Sequence, residues 1–141
     1  MIRVLLTGAG GQLGQEFKQL CTQEQAIELH AFTRSELDIC DPQAIHDILE
    51  KHKIDYLVNA AAYTQVDLAE KESDQAFKVN ADAPKMMALA CQKLQINFLH
   101  ISTDYVFDGA QKTAYLPSQA TDPQGVYGAS KLKGEQHIVE S

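Results

Sequence analysis

The sequence predicts an α/β fold, a doubly wound parallel sheet with helices on both faces. Three observations carry that reading. Short, β-branched apolar runs alternate with helix-period stretches along the 141 residues. The runs are continuously apolar, as strands buried on both faces are. The first run also leads straight into a glycine-rich turn that opens a helix, Thr7-Gly8-Ala9-Gly10-Gly11-Gln12-Leu13-Gly14.

Residues 2–6 read as the first strand and residues 12–22 as the helix behind the turn. A second strand is expected over 28–32 and a helix over 42–52, with Asp41 as its N-cap and Pro42 in its first turn. The third strand falls at 56–59. A long helical stretch, 73–94, is expected to break near 80–84, where Asn80 and Pro84 stand. The fourth strand is placed at 97–102. Residues 104–126 are polar and punctuated by Gly109, Pro117, Pro123 and Gly125, which reads as a long substrate-side loop. The whole chain, 1–141, is read as one domain.

Composition narrows the function. A hydrophobic content of 45% and a charged content of 22% are those of a soluble globular protein. A net charge of −7 argues against a nucleic-acid or anionic-membrane partner. No apolar run is long enough to span a membrane, and Met1 runs into the first strand without a signal-peptide core. Cys21, Cys40 and Cys91 are odd in number and far apart, which suggests reduced thiols and a cytoplasmic location. The five histidines form no His-x-x-x-His pair, so no metal site is expected.

The glycine turn is the first chemical signal. Gly8, Gly11 and Gly14 permit a tight turn, close approach of backbone to a pyrophosphate, and close helix–strand packing. The helix N-terminus behind them offers free N–H groups and the positive dipole end to the phosphates. This is a dinucleotide-binding, Rossmann-like arrangement. The spacing G-x-x-G-x-x-G departs from the usual G-x-G-x-x-G, and the acid expected about 20 residues further on is missing. Thr33-Arg34 stand there, and an arginine suits a ribose 2′-phosphate. The lean is to NADPH, with NADH as the second choice. Asp38-Ile39 are placed against the adenine. Ala60, Ala61 and Ala62, at the end of the third strand, let backbone approach a flat ligand.

The second signal lies near the far end, where Tyr127 and Lys131 share one face of a helix. A phenol with the ordinary pKa of about 10 is a poor proton donor at neutral pH, and a cation beside it favours the phenolate. That pairing makes a general acid for carbonyl reduction. Ser102-Thr103-Asp104-Tyr105 close the fourth strand, where Thr103 is placed to hold a substrate carbonyl oxygen.

Glycine turn, small-residue strand end, Ser102-Thr103-Asp104-Tyr105-Val106-Phe107-Asp108-Gly109 and Tyr127-Gly128-Ala129-Ser130-Lys131 resemble, in that order, the extended short-chain dehydrogenase/reductase family. The resemblance covers essentially the whole chain. It implies NAD(P)H-dependent reduction of the keto group of a nucleotide sugar, with Thr103, Tyr127 and Lys131 as the catalytic set. It also implies cofactor contacts from Gly11, Gln12 and Leu13, from Asp38 and Ile39, from Ala62, Tyr63 and Thr64, and from Tyr127 and Lys131. Thr103, Asp104 and Tyr105 match substrate-contacting positions. Asn80 falls where relatives carry a helix-interrupting asparagine that helps to position the lysine. Glu16 falls where some relatives bridge a dimer through magnesium, but one acid makes no metal site.

The same family runs much longer, with a C-terminal region that builds most of the sugar-nucleotide pocket. The expectation is therefore a sheet incomplete on its C-terminal side, no substrate domain, weak or absent turnover, and retained dinucleotide binding. A second copy or another subunit would cover the open face. A sugar-nucleotide epimerase or dehydratase, and a non-catalytic regulatory subunit of the same fold, remain the alternatives.

Overall fold

The computed structural model describes residues 1–141. Its elements run β1 (Ile2–Thr7), α1 (Gln12–Cys21), β2 (Ile27–Phe32), α2 (Pro42–Lys51), β3 (Tyr56–Asn59), α3 (Val66–Ala69), α4 (Ser73–Phe77), a π-helical turn (Lys78–Asp82), α5 (Ala83–Leu94), β4 (Asn97–His100), a 3-10 turn (Asp104–Val106) and α6 (Val126–Val139). The four strands form one parallel sheet in the order β2-β1-β3-β4. The doubly wound α/β class is as expected.

Strand pattern decides the layers. Leu5 of β1 and Leu57 of β3 point to the face covered by Ile45 and Leu49 of α2 and Met87 and Cys91 of α5. Burying each such leucine or isoleucine stabilises the fold by about 1.5–3 kcal/mol, so this layer carries most of the core. Val4, Leu6 and Val58 point the other way, towards Phe17 of α1. Local signals set the helix ends. Asp41 accepts from Gln43 N at 3.0 Å and Ala44 N at 3.1 Å, so it caps α2, with Pro42 in the first turn.

Two expectations are corrected. β4 ends at His100 and not at residue 102, because its partner β3 ends at Asn59, opposite His100. The next carbonyl, that of Ile101, is taken by the Lys131 amine and not by a neighbouring strand. The helical stretch 73–94 is interrupted near Asn80, as expected: one wide π turn absorbs an extra residue, and the chain runs on into Pro84 at the first turn of α5. The sheet is not covered on both faces over β4. Leu99 pairs with Val58 and shares its face, yet it is 53% exposed, because α1 does not reach β4. The polar stretch 104–126 is a long loop, as expected, held by its own bonds, with Phe107 stacked on Tyr115 at 4.4 Å and the Tyr115 hydroxyl donating to Asp108 at 2.6 Å. The short helix α3 and the 3-10 turn were not foreseen. No helix is long and apolar enough to cross a membrane.

Candidate active site

From β1 the chain passes through α1 to β2 on one side, then crosses back through α2 to β3 on the other. Strand order therefore reverses at β1, and a cleft of about 830 Å³ opens beyond the carboxyl ends of β1 and β3. Its first wall is the glycine turn. Gly8 has φ +72°, and a Cβ there would lie 2.5 Å from Ala61 N. A Cβ on Gly14 would meet the Gly8 carbonyl oxygen. Turn, helix and the chain after β3 therefore pack backbone on backbone. Gly11 is the N-cap of α1 and no side chain caps the helix, so the first-turn N–H groups and the positive dipole end face the cleft beside Gly10, Gly11, Gln12 and Leu13.

The opposite wall is Ala60, Ala61, Ala62, Tyr63 and Thr64. Buried polar bonds set its base. Thr7 Oγ1 donates to Asn59 Oδ1 at 2.7 Å, and Ala61 N donates to the same oxygen at 3.1 Å. At the β2 end, Arg34, Asp38 and Ile39 line the cleft. Thr33 does not: its N–H and hydroxyl both donate to Glu36, at 2.8 and 2.7 Å, and these bonds hold the Glu36 carboxyl below its usual range. Asp38 lines the cleft and also accepts from Cys40 N at 2.9 Å, so it closes a turn as well.

The third side comes from α6, which brings Tyr127 and Lys131 to the cleft beside Ile101 and Ser102. Lys131 is 1% exposed. Its amine donates to the Ile101 carbonyl at 2.5 Å and lies 3.4 Å from His100 Nε2. Burial pulls the Lys131 pKa down to about 8, against the attraction of Glu135. Burial, and then the Lys131 charge, hold His100 at about 4. The phenol of Tyr127 makes no hydrogen bond to Lys131; its ring meets Tyr105 edge-on, with centroids 5.5 Å apart.

The seat of α6 is built from backbone contact. A Cβ on Gly128 would meet the Tyr105 carbonyl oxygen, and one on Gly134 the Asn80 carbonyl oxygen. Asn80, fully buried in the π turn, accepts from Tyr63 N at 2.8 Å and donates to Tyr63 O at 2.9 Å and Ser130 Oγ at 3.0 Å. Asn80 thus acts on the lysine through its neighbour Ser130 and the alanine wall, without touching Lys131. Ser102 Oγ donates to Glu135 Oε1, which fixes the end of β4 to α6.

The structure therefore brings together Gly8, Gly11, Gln12, Leu13, Arg34, Asp38, Ile39, Ala60–Thr64, Tyr127 and Lys131. Gly14, Thr33, Thr103, Asp104 and Tyr105 stand outside that lining. Thr103 Oγ1 accepts from Tyr105 N at 3.2 Å, capping the 3-10 turn, and lies 3.4 Å from Asp104 Oδ1. Gln75, Lys78 and Val79 also line the cleft and had not been singled out. Lys78 and Val79 belong to the wide turn, which helical periodicity does not show, and Gln75 to α4 before it. His100 was likewise missed, although period-two alternation in β4 puts it on the inward face with Phe98.

A glycine turn at the switch point facing a Tyr-x-x-x-Lys helix defines the short-chain dehydrogenase/reductase class. The family model described as "RmlD substrate binding domain" matches residues 2–141, and the chain belongs to that family. It is 44% identical over 141 residues to the dTDP-4-dehydrorhamnose reductase of Mycobacterium tuberculosis, covering 97% of this chain and 45% of that protein. The crystal structure of dTDP-4-dehydrorhamnose reductase from Bacillus anthracis in complex with NADP matches with a TM-score of 0.94 at 36% identity, over 99% of this chain and 50% of that one. UDP-glucose 4-epimerase from Brucella ovis, in complex with NAD, shares the fold with a TM-score of 0.91 at 18% identity, over 99% of this chain and 47% of that one. The chain spans about half the length of the curated relatives it matches.

Proposed function

We propose that residues 1–141 are the nucleotide-binding part of an NADPH-dependent reductase that converts dTDP-4-dehydro-L-rhamnose to dTDP-L-rhamnose, with the sugar-nucleotide pocket drawing on chain beyond this stretch. One observation carries the reading: a single cleft holds the glycine turn, an uncapped helix N-terminus, Arg34, and the Tyr127–Lys131 face of α6. The residues fit a dinucleotide. Gly8 and Gly14 leave room that a Cβ would fill, and the open α1 N-terminus favours a pyrophosphate. Gly11, Gln12 and Leu13 would hold the phosphates, Arg34 a 2′-phosphate, Asp38 and Ile39 the adenine, and Ala60–Thr64 the middle of the molecule. NADH would bind with the arginine contact unused.

The cofactor, when bound, supplies a hydride. The chain's own groups do the rest. Tyr127 donates its phenolic proton to the oxygen of the substrate as that oxygen gains charge. Lys131, held on the Ile101 carbonyl, keeps a polar N–H at the cleft and a titratable nitrogen one helical turn from the phenol. Thr103 is read as the partner of the substrate carbonyl, since its hydroxyl proton is only weakly tied to Asp104 at 3.4 Å. Asp104 and Tyr105 beside it are read as substrate contacts.

NADPH fluorescence on mixing with the chain, followed by NADPH oxidation on adding dTDP-4-dehydro-L-rhamnose to the full-length enzyme, tests both halves of the reading. Binding, with one NADPH consumed for each sugar reduced, is expected. An absence of binding, or isomerised sugar with no net NADPH loss, would overturn it in favour of an epimerase.

A further inference from the structure

The short segment between α3 and α4, Glu70-Lys71-Glu72, reaches both side walls of the cleft, and the reductase reading makes no use of it. On the alanine wall, Glu72 Oε2 accepts the Tyr63 hydroxyl at 2.7 Å. At the start of α6, Glu70 Oε1 accepts the Val126 N–H at 2.8 Å. The segment is itself held in place, because the N–H groups of Lys71 and Glu72 both donate to the Leu68 carbonyl at 2.9 Å.

Val126 is the first residue of α6 and Tyr127 the second, so the tethered amide lies one residue before the phenol. The first N–H groups of a helix have no intrahelical partner, and a side chain at the N-cap ordinarily takes one of them. Here the N-cap is Gly125, which has no side chain to offer, and the first turn of α6 holds no acid. Gly125 stands at φ −145° and ψ 169°, extended backbone that any residue adopts, so its conformation does not call for glycine. Space does: a Cβ there would lie 3.0 Å from Glu70 Oε1. A remote cap thus replaces the local one, and its carboxylate also suits the positive end of the helix dipole. Gly128 and Gly134, against the carbonyls of Tyr105 and Asn80, set how deep α6 sits. Such contacts resist compression but do not keep a first turn from fraying.

We propose that Glu70 is a positioning residue for Tyr127: by capping α6 at Val126, it holds the first turn of the helix, and with it the phenol, where the proton is transferred. The step it serves rests on the reductase reading, whereas the cap does not.

The test uses the full-length enzyme. Amide hydrogen exchange at Val126, followed by NMR, should be slowed about fivefold or more relative to an open chain. Exchange at the open-chain rate overturns the proposal without any variant needing to fold. Glu70→Ala should lower kcat by about tenfold or more, while KM for the sugar and NADPH affinity stay within about threefold. Glu70→Gln keeps an oxygen that accepts, and its kcat should lie closer to the parent than to Glu70→Ala. Gly125→Ser is the deciding change. Combined with Glu70→Ala, it puts a hydroxyl at the N-cap in the space the carboxylate left, and should return kcat to within about threefold of the parent. In the otherwise unaltered enzyme the same serine meets Glu70 and should bring no gain. A Glu70→Ala enzyme with kcat within about twofold of the parent overturns the proposal, and so does a loss that the serine does not recover. A parent enzyme that isomerises the sugar with no net NADPH loss would speak against the reductase reading instead. The same comparison of kcat, made on the isomerisation, then decides the role of Glu70.

Discussion

Asn80, in the wide turn between α4 and α5, donates a hydrogen bond to Ser130 at 3.0 Å, so the residue next to Lys131 is tied to the backbone of the alanine wall through one amide. Replacing Asn80 by alanine leaves the Tyr63 N–H, the Tyr63 carbonyl and the Ser130 hydroxyl without that partner. Asn80→Ala is expected to destabilise the chain by about 2–4 kcal/mol, read from urea unfolding, and to weaken NADPH binding in parallel.

Gly8 and Gly10 provide a matched pair. Gly8→Ala must hold a side chain at φ +72° and force it within 2.5 Å of Ala61 N, so it should cost about 2–4 kcal/mol. Gly10→Ala meets only Thr33 Cγ2 at 3.7 Å and should leave the unfolding midpoint within about 0.5 kcal/mol of the parent. Equal effects of the two substitutions would contradict the packing at the turn.

Stability should depend on pH through two buried bases. His100 titrates at about 4 when folded and 6.5 when unfolded. As pH falls through that interval the unfolded chain takes up the proton first, so stability falls, by up to about 3 kcal/mol. Lys131, at about 8 folded against an ordinary 10.5, works in the same sense, and stability should rise as pH rises above 8. Cys91, whose thiol burial pushes up to about 12 from 9.0, opposes that rise above pH 9. The gain from Lys131 is thus clearest between about pH 8 and pH 9, where it amounts to about 1 kcal/mol. Lys131→Met should abolish it in denaturant titrations.

Tyr127→Phe in the full-length enzyme should lower kcat by about 10²- to 10⁴-fold, the range for loss of a general acid, and leave NADPH affinity within about twofold. Stopped-flow turnover beside equilibrium fluorescence separates the two effects. A variant that loses affinity and keeps kcat would remove Tyr127 from the proton step.

Arg34 is exposed, lines the cleft and forms no ion pair in the chain, so its charge is available to a ligand. Arg34→Ala should raise the NADPH dissociation constant by about tenfold or more and leave that of NADH nearly unchanged, as loss of one charge-assisted bond to a phosphate would. Isothermal titration with both cofactors checks the difference.

Most of this architecture can be read from local sequence. The four strands, the Asp41 cap and the glycine turn are local signals, and each stands where its residues place it. What escaped reading depends on partners far along the chain. β4 stops at His100 because a lysine thirty-one residues later claims the Ile101 carbonyl. The interruption near Asn80 was legible, but its form, a wide turn that pairs that side chain with Tyr63 and Ser130, was not. Thr103 sits outside the lining because its hydroxyl caps a 3-10 turn that strand propensity does not foresee. His100 reads as an ordinary inward residue until its ring is found between Asn59 and Lys131.

The helix that carries Tyr127 and Lys131 rests on two carbonyl oxygens, those of Tyr105 and Asn80, each met by a glycine. Such stops are made of main chain, which is the same whatever residue supplies it, and they do not compress. Apolar side chains elsewhere in the core could be exchanged for others of different shape, with the phenol and the amine still presented at the same height. The height of the phenol and the amine is thereby set by main chain and not by the shapes of the apolar side chains around it.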